Sequence, residues 1–323
     1  MEIFPFREEF LNDAAAMFVR NYHEQRRAVP VLPDPMETIH RVAGMLNELF
    51  QTCPGVAAVE NGQLTGYMGW TIIEHFREAD ITGAYCPVWA HSAAGKAVAA
   101  VYQGMYRTAA AYWTTRGCGV HAISLLANDR PAEKIWFWNG FGLAVVDAIR
   151  PILPIDVKPV ENLVVRKAQS QDAELIAVLD REHWRHYSEP PVFMAAHVPA
   201  NPETYREFLN IPDNTVWLAE FQGEPAGLMR FDSHSQGATE VVQSETTISI
   251  TGAYTRPQYR GKGSAAALLD AALRYYGERG FERCSVDFES FNPEAANFWM
   301  KYFEPVCFSL MRHPEAFQQV KVV

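Results

Sequence analysis

Pro257-Gln258-Tyr259-Arg260-Gly261-Lys262-Gly263-Ser264-Ala265 is the stretch on which the fold of this chain turns. It stands between an apolar, strand-like run, Thr247 to Tyr254, and a helix-like run, Ala265 to Tyr276. Strand, glycine-rich turn and helix in that order make an anion site. Gly261 and Gly263 let the backbone approach a ligand with no Cβ in the way. The N–H groups of the helix's first turn have no intrahelical partner, and the helix dipole favours negative charge beside them. Arg260 and Lys262 add positive charge. The expected ligand carries phosphate. The spacing is neither the Gly-x-Gly-x-x-Gly of a dinucleotide turn nor the Gly-x4-Gly-Lys-Ser/Thr of a P-loop.

Downstream, Arg283 to Phe288 reads as a strand, and Asn292-Pro293-Glu294-Ala295-Ala296-Asn297-Phe298-Trp299-Met300-Lys301 as a helix. Asn292 suits the N-cap and Pro293 the first turn. Read as Gln258-x-x-Gly261-x-Gly263, the turn resembles the acyl-CoA motif of the GCN5-related N-acetyltransferase (GNAT) superfamily, Gln/Arg-x-x-Gly-x-Gly/Ala. Asn292, Ala295 and Trp299 fall at the three positions of that family's next motif, Asn-x-x-Ala-x-x-x-Tyr. The resemblance implies an α/β (α+β) fold, with a mixed, mostly antiparallel central sheet flanked by helices. It also implies a slot where the fourth strand splays from the fifth. Acetyl-CoA, or another acyl-CoA, is the implied cosubstrate. The implied cofactor-binding residues are Tyr254 and Thr255 on the strand, Gln258, Tyr259, Arg260, Gly261, Lys262, Gly263, Ser264 and Ala265 in the turn, and Asn292.

The implied chemistry is direct transfer of an acyl group to a small-molecule or peptide amine within a ternary complex. That needs a base for the ammonium, an acid for the thiolate and dipoles for the oxyanion. Some family members carry a Glu at the position of Thr247. Glu245, two residues earlier and on the same face of a regular strand, is the candidate base. Asp287 and Glu289, which share a face of the next strand, are the fallback. Trp299 stands where the family commonly has a Tyr acid. An indole N–H donates a hydrogen bond but is no proton donor near neutral pH, so Tyr302 and Tyr259 are alternative donors. The tryptophan keeps a non-catalytic acyl-CoA-binding or sensing role open. An aminoacyl transferase is a third reading, disfavoured by the acidic balance and the retained motif.

The chain repeats itself. Ile81-Thr82-Gly83-Ala84-Tyr85 recurs unchanged as Ile250-Thr251-Gly252-Ala253-Tyr254, an offset of 169 (250 − 81). Upstream of each copy lies a hairpin signal, Gly55 to Met68 with an Asn61-Gly62 turn in one and Thr215 to Met229 in the other. Trp136 stands 163 residues (299 − 136) before Trp299. The expectation is two tandem copies of one fold: a degenerate GNAT-like domain over 1–155 and one with an intact motif over 160–323, joined through the proline-rich stretch Arg150 to Pro159. In the first copy the turn reads Pro87-Val88-Trp89-Ala90-His91-Ser92-Ala93-Ala94-Gly95-Lys96-Ala97, with Ser92 at the Gln position and residues added. It should cradle pyrophosphate less well. His91, a lone loop histidine, is expected to be solvated. The acceptor site is expected over Asp180 to Asn210, rich in aromatic and polar groups. His183 and His186 find no third ligand nearby, so no metal is expected.

At 323 residues, 48% apolar and 12% aromatic, the chain is long enough for two globular domains. A net charge of −10 lacks the basic footprint of a nucleic-acid binder. No apolar run approaches a membrane span, and Met1 to Phe6 lacks a signal-peptide pattern. The five widely spaced cysteines show no disulfide or metal framework, and a reducing cytoplasm is the expectation. Cys284 reads as a small core residue. Oligomeric state is left open.

Overall fold

The computed structural model describes residues 1–195, 197–198, 200–233 and 237–315. Two positions of the expected acceptor segment, 196 and 199, and the C-terminal end of the expected second domain, 316–323, lie outside the described residues. The chain divides into two compact units. One is Met1–Val146 with the described residues from Pro305 on, and the other is Asp147–Glu304.

The first unit runs β1 (Glu2–Pro5), α1 (Leu11–Ala28), α2 (Ile39–Thr52), β2 (Gly55–Glu60), β3 (Gln63–Gly69), β4 (Thr71–Ile73), β5 (Gly83–Cys86), β6 (His91–Ala93), α3 (Val98–Thr115), β7 (Val120–Leu126) and α4 (Arg130–Trp138). β8 (Gly142–Pro151) begins here and ends in the second unit. Asn61 and Gly62, at φ 52° and 77°, make the two-residue β2–β3 turn that only left-handed residues allow. Strands β1-β2-β3-β6 form one antiparallel sheet, while β5 pairs in parallel with β7. Trp136 on α4 is fully buried and meets Tyr102, Tyr106 and Phe141 edge-on.

The second unit continues with β9 (Leu163–Lys167), α5 (Ala173–Ser188), α6 (Pro202–Asn210), β10 (Thr215–Phe221), β11 (Glu224–Asp232), β12 (Thr247–Thr255), α7 (Ser264–Gly277), β13 (Arg283–Glu289) and α8 (Pro293–Tyr302). Its sheet has the order β13-β12-β11-β10-β9, antiparallel except for the parallel pair β12–β13. Gln222 and Gly223 turn the β10–β11 hairpin at φ 52° and 83°. Strand alternation sorts the two faces. Val216, Leu218, Leu228 and Tyr254 pack on α5 and α6. Trp217 and Phe231 meet Tyr275 and Tyr276 of α7. Arg166 on β9 forks onto Asp172 at 2.8 Å twice, holding that carboxyl below its usual range just before α5.

The last strand, β14 (Glu304–Arg312), belongs with the first unit. It pairs antiparallel with β7 from Cys307↔Leu126 to Arg312↔His121 and puts Leu310 into that unit's core. A linear cut of the chain makes no provision for this return. Among the described residues the cysteines form no disulfide, and Cys284 is fully buried. Among the described residues no helix is long and apolar enough to cross a membrane.

Candidate active-site cleft

The cleft arises where one strand pair stops. β12 and β13 are in register from Thr247↔Arg283 to Ile250↔Val286, and then both run on unpaired with each other, β12 to Thr255 and β13 to Glu289. On its other edge β12 carries a bulge at Thr251, since Arg230 faces Gly252 while Phe231 faces Ile250. The bulge twists β12 away at the level where β13 is lost. A cavity of about 560 Å³ opens there, lined by residues of the second unit from α5, β11, β12, α7, β13 and α8.

Its far end is the glycine turn. Gly261 and Gly263 stand at φ 73° and 87°, a region that side chains with a Cβ rarely adopt. Gly263 is the N-cap of α7 and contributes no side-chain cap, so the first-turn N–H groups face the cavity, where Ser264, Ala265 and Ala266 line it. A Cβ at Gly261 would meet nothing within 4 Å, so its requirement is conformational, and the space in front of it is open. Arg260 is braced across the mouth, donating to the Thr255 carbonyl at 3.1 Å and to Glu294 at 3.3 Å. Backbone donors, a helix N-terminus and a guanidinium at one end of a split sheet suit a pyrophosphate. The open edge of β12 suits the amide-bearing arm that follows it in CoA.

The cavity brings together Tyr254, Thr255, Arg260, Gly261, Gly263, Ser264, Ala265, Asn292 and Trp299. Asn292 is buried and caps α8 by accepting from the Ala295 N–H at 3.3 Å. Gln258, Tyr259 and Lys262 are outside the lining: Gln258 and Lys262 are exposed, and the Tyr259 ring stacks on Phe221 at 5.2 Å with Lys262 over it. Glu245 is exposed in the turn ahead of β12 and is not brought to the cavity. Asp287 and Glu289 are, with Asp287 one residue past the last paired position. Of the two alternative donors, Tyr302 lines the cavity and Tyr259 does not.

The floor towards α5 and α6 holds groups the sequence reading did not single out, Asp180 and Arg230, beside His183, Trp184, His186 and Tyr187. His183 is buried, and desolvation, with the Arg230 charge adding, pulls its pKa down to about 3. It is neutral at physiological pH and too weak a base to deprotonate an ammonium. Burial raises the Tyr254 phenol above 10. An arginine inside the apolar run Ala226–Phe231 was the one visible signal for Arg230.

In the first unit the corresponding strands behave differently. β5 and β7 pair from Gly83↔Val120 to Cys86↔Ile123. The residues added after Cys86 then fold inward, with Val88 to Ser92 all buried and β6 laid against β3. His91, far from solvated, is 5% exposed. Its Nε2 lies 2.7 Å from the Ser124 carbonyl, one residue past the last β7 pairing. A carbonyl only accepts, so Nε2 carries the proton, and Nδ1 is left to accept from Tyr102 at 3.3 Å. The chain itself fills the space that stays open beside Asp287 in the second unit.

Fold and cleft present a split sheet whose open strand edge ends at a glycine turn and a helix N-terminus, an arrangement that suits an extended, phosphate-bearing ligand. Residues 178–303 match the Acetyltransferase (GNAT) family. The uncharacterized N-acetyltransferase YjgM of Escherichia coli (strain K12) is 26% identical over 136 residues, 42% of this chain and 77% of that protein. The GCN5-related N-acetyltransferase from Sphaerobacter thermophilus superposes with a TM-score of 0.58 at 12% identity, covering 97% of this chain and 96% of that one. The GCN5-related glucosamine N-acetyltransferase region of a fungal multi-domain GH3 β-N-acetylglucosaminidase superposes at 0.57 and 11% identity. That match covers 96% of this chain and 38% of the larger protein. At such identities these structural likenesses speak for the fold. The family match falls within the second unit, over the segment that carries the cleft.

Proposed function

We propose that this protein is an acetyl-CoA-dependent N-acetyltransferase, built from two diverged copies of one fold, with a single working site in the second. The observation that carries the reading is the end of β12–β13 pairing at Ile250↔Val286, opening directly onto the Gly261–Gly263 turn. Residues Thr251 to Thr255 supply a free strand edge for the pantetheine arm. The turn, the first-turn amides of α7 and Arg260 hold the pyrophosphate.

The cosubstrate supplies an activated thioester. Asp287 takes one proton from the acceptor's ammonium, directly or through water. The neutral amine forms the N–C bond to the thioester carbonyl, the C–S bond breaks, the nitrogen loses its second proton, and the thiolate is reprotonated to CoA-SH. Tyr302 is the proton donor that the cavity offers in place of the family's usual tyrosine, since the Trp299 indole cannot serve. The first unit takes no acyl-CoA, because Val88 to Ser92 occupy its slot.

Calorimetric titration with acetyl-CoA tests this. One site per chain is expected, with CoA release on adding a suitable amine. Two sites would refute the self-filled slot, and no binding would refute the cofactor assignment. Binding without turnover of any amine would turn the reading to acyl-CoA sensing.

A further inference from the structure

One charged side chain in the cavity is used neither by the cofactor cradle nor by proton transfer. Arg230 lies on β11 on the face towards α5 and α6, and lines the cavity. Its Nε donates to Thr251 Oγ1 at 3.0 Å and its Nη2 to the Thr251 carbonyl at 2.6 Å. Its guanidinium also stands 5.8 Å from the Phe208 ring. Burial raises the Tyr205 phenol, with the Asp180 charge adding to the rise and the Arg230 charge opposing it, which places both charges near that buried ring. Among the described residues no carboxylate comes within 4.0 Å of the guanidinium. Arg260, the other arginine of the lining, has Glu294.

Position adds a second constraint. Thr251 is the bulge residue, one step past Ile250, and Asp287 is one step past Val286. Arg230 is therefore pinned at the level where the strands part, across the opening from the carboxylates of β13. A half-enclosed guanidinium held by neutral acceptors remains short of a counter-charge that a ligand can supply. Trp184, Tyr187 and Phe298 give the same cavity apolar walls.

We propose that Arg230 binds the acceptor and that the acceptor is an amine bearing a carboxylate, the class of α-amino acids with an aromatic or apolar side chain. This rests on the acetyl-CoA reading above. The carboxylate forks onto Arg230, the ammonium faces Asp287 and Glu289, and the side chain lies against the aromatic walls. Charge at both ends fixes which nitrogen reaches the thioester.

The test uses the full chain and matched pairs, phenylalanine with phenethylamine and tryptophan with tryptamine, followed by CoA thiol release. Wild type is expected to turn over the acids. Arg230→Gln should lower kcat/KM for each acid about 10- to 100-fold more than for its amine partner, the span of a lost charge-assisted pair. Comparing the ratio between wild type and variant removes the difference in amine basicity. Arg230→Lys should restore part of the preference, and calorimetric acetyl-CoA affinity should hold in both variants. An equal fall for acid and amine would show that Arg230 merely braces the bulge and would overturn the proposal. So would acetyl-CoA binding with no turnover of either acid, which leaves the cofactor reading standing. Loss of acetyl-CoA binding by wild type itself would remove both.

Discussion

At the scale of single residues, the cleft separates positions that must keep their backbone from positions that must keep their charge. Gly261 is of the first kind. Its left-handed φ costs any other residue about 1–2 kcal/mol, yet a Cβ there meets nothing. Gly261→Glu should therefore fold, with a melting point lowered by a few degrees. Its carboxylate stands in the anion site, and acetyl-CoA affinity should fall at least ~100-fold by calorimetry; unaltered affinity would remove the turn from the site. Asp287 is of the second kind. Asp287→Asn should reduce kcat/KM by about 10²–10⁴ and flatten the rising limb of the pH–rate profile, with acetyl-CoA affinity retained. Glu245→Gln, exposed and away from the cavity, is the control. A larger loss there than at Asp287 would return the base to the turn before β12.

Elements show which parts of this molecule are local and which are not. The hairpin turns at Asn61-Gly62 and Gln222-Gly223, the Asn292 cap and the glycine turn were legible because each is settled by the conformational preferences of two or three adjacent residues. The bulge at Thr251, the buried His91 and the Arg230 side chain were not. Each depends on a partner 21 or more positions away, Arg230 for Thr251 and Ser124 for His91, and a reading by neighbours treats such residues as generic strand or loop. Glu245 failed to reach the cavity for a related reason: alternation along a strand predicts a face only while the strand lasts, and β12 begins at Thr247. β14 is a whole element of this kind. It supplies Leu310 to the first unit's core and the Ser309 hydroxyl that meets Ser124 at 2.7 Å. A fragment ending at Val146 should consequently remain largely unfolded by circular dichroism and hydrogen exchange. A cooperatively melting 1–146 fragment would show that the first unit does not depend on its returned strand.

For the molecule as a whole, three buried histidines tie folding to pH. Desolvation holds His91 and His121 near pKa 4 and His183 near 3, against 6.5 when unfolded. Above pH 6.5 both states are neutral at these sites and stability is unaffected. Below it the unfolded chain takes up protons that the folded chain refuses, so stability drops as pH falls from 6.5 to about 4, by up to ~1.4 kcal/mol per histidine per pH unit. Asp147 works the other way: buried near Asp287, its carboxyl is held well above the usual range, so it favours the folded state more at low pH. Asp129, also raised by burial, acts in the same direction as Asp147, while Asp172 and Glu37, held low by Arg166 and Arg26, lose stability in acid together with the histidines. His91 makes the separable case, since it is buried in the first unit and is not among the residues lining the second unit's cavity. His91→Gln keeps a donor for the Ser124 carbonyl and cannot titrate. Urea unfolding between pH 6 and 4.5 should show the variant losing about one proton's worth of slope relative to wild type, with acetyl-CoA stoichiometry still one. An identical slope in the two proteins would mean that His91 is charged in the folded state. The Ser124 contact and the filled slot would then need another explanation.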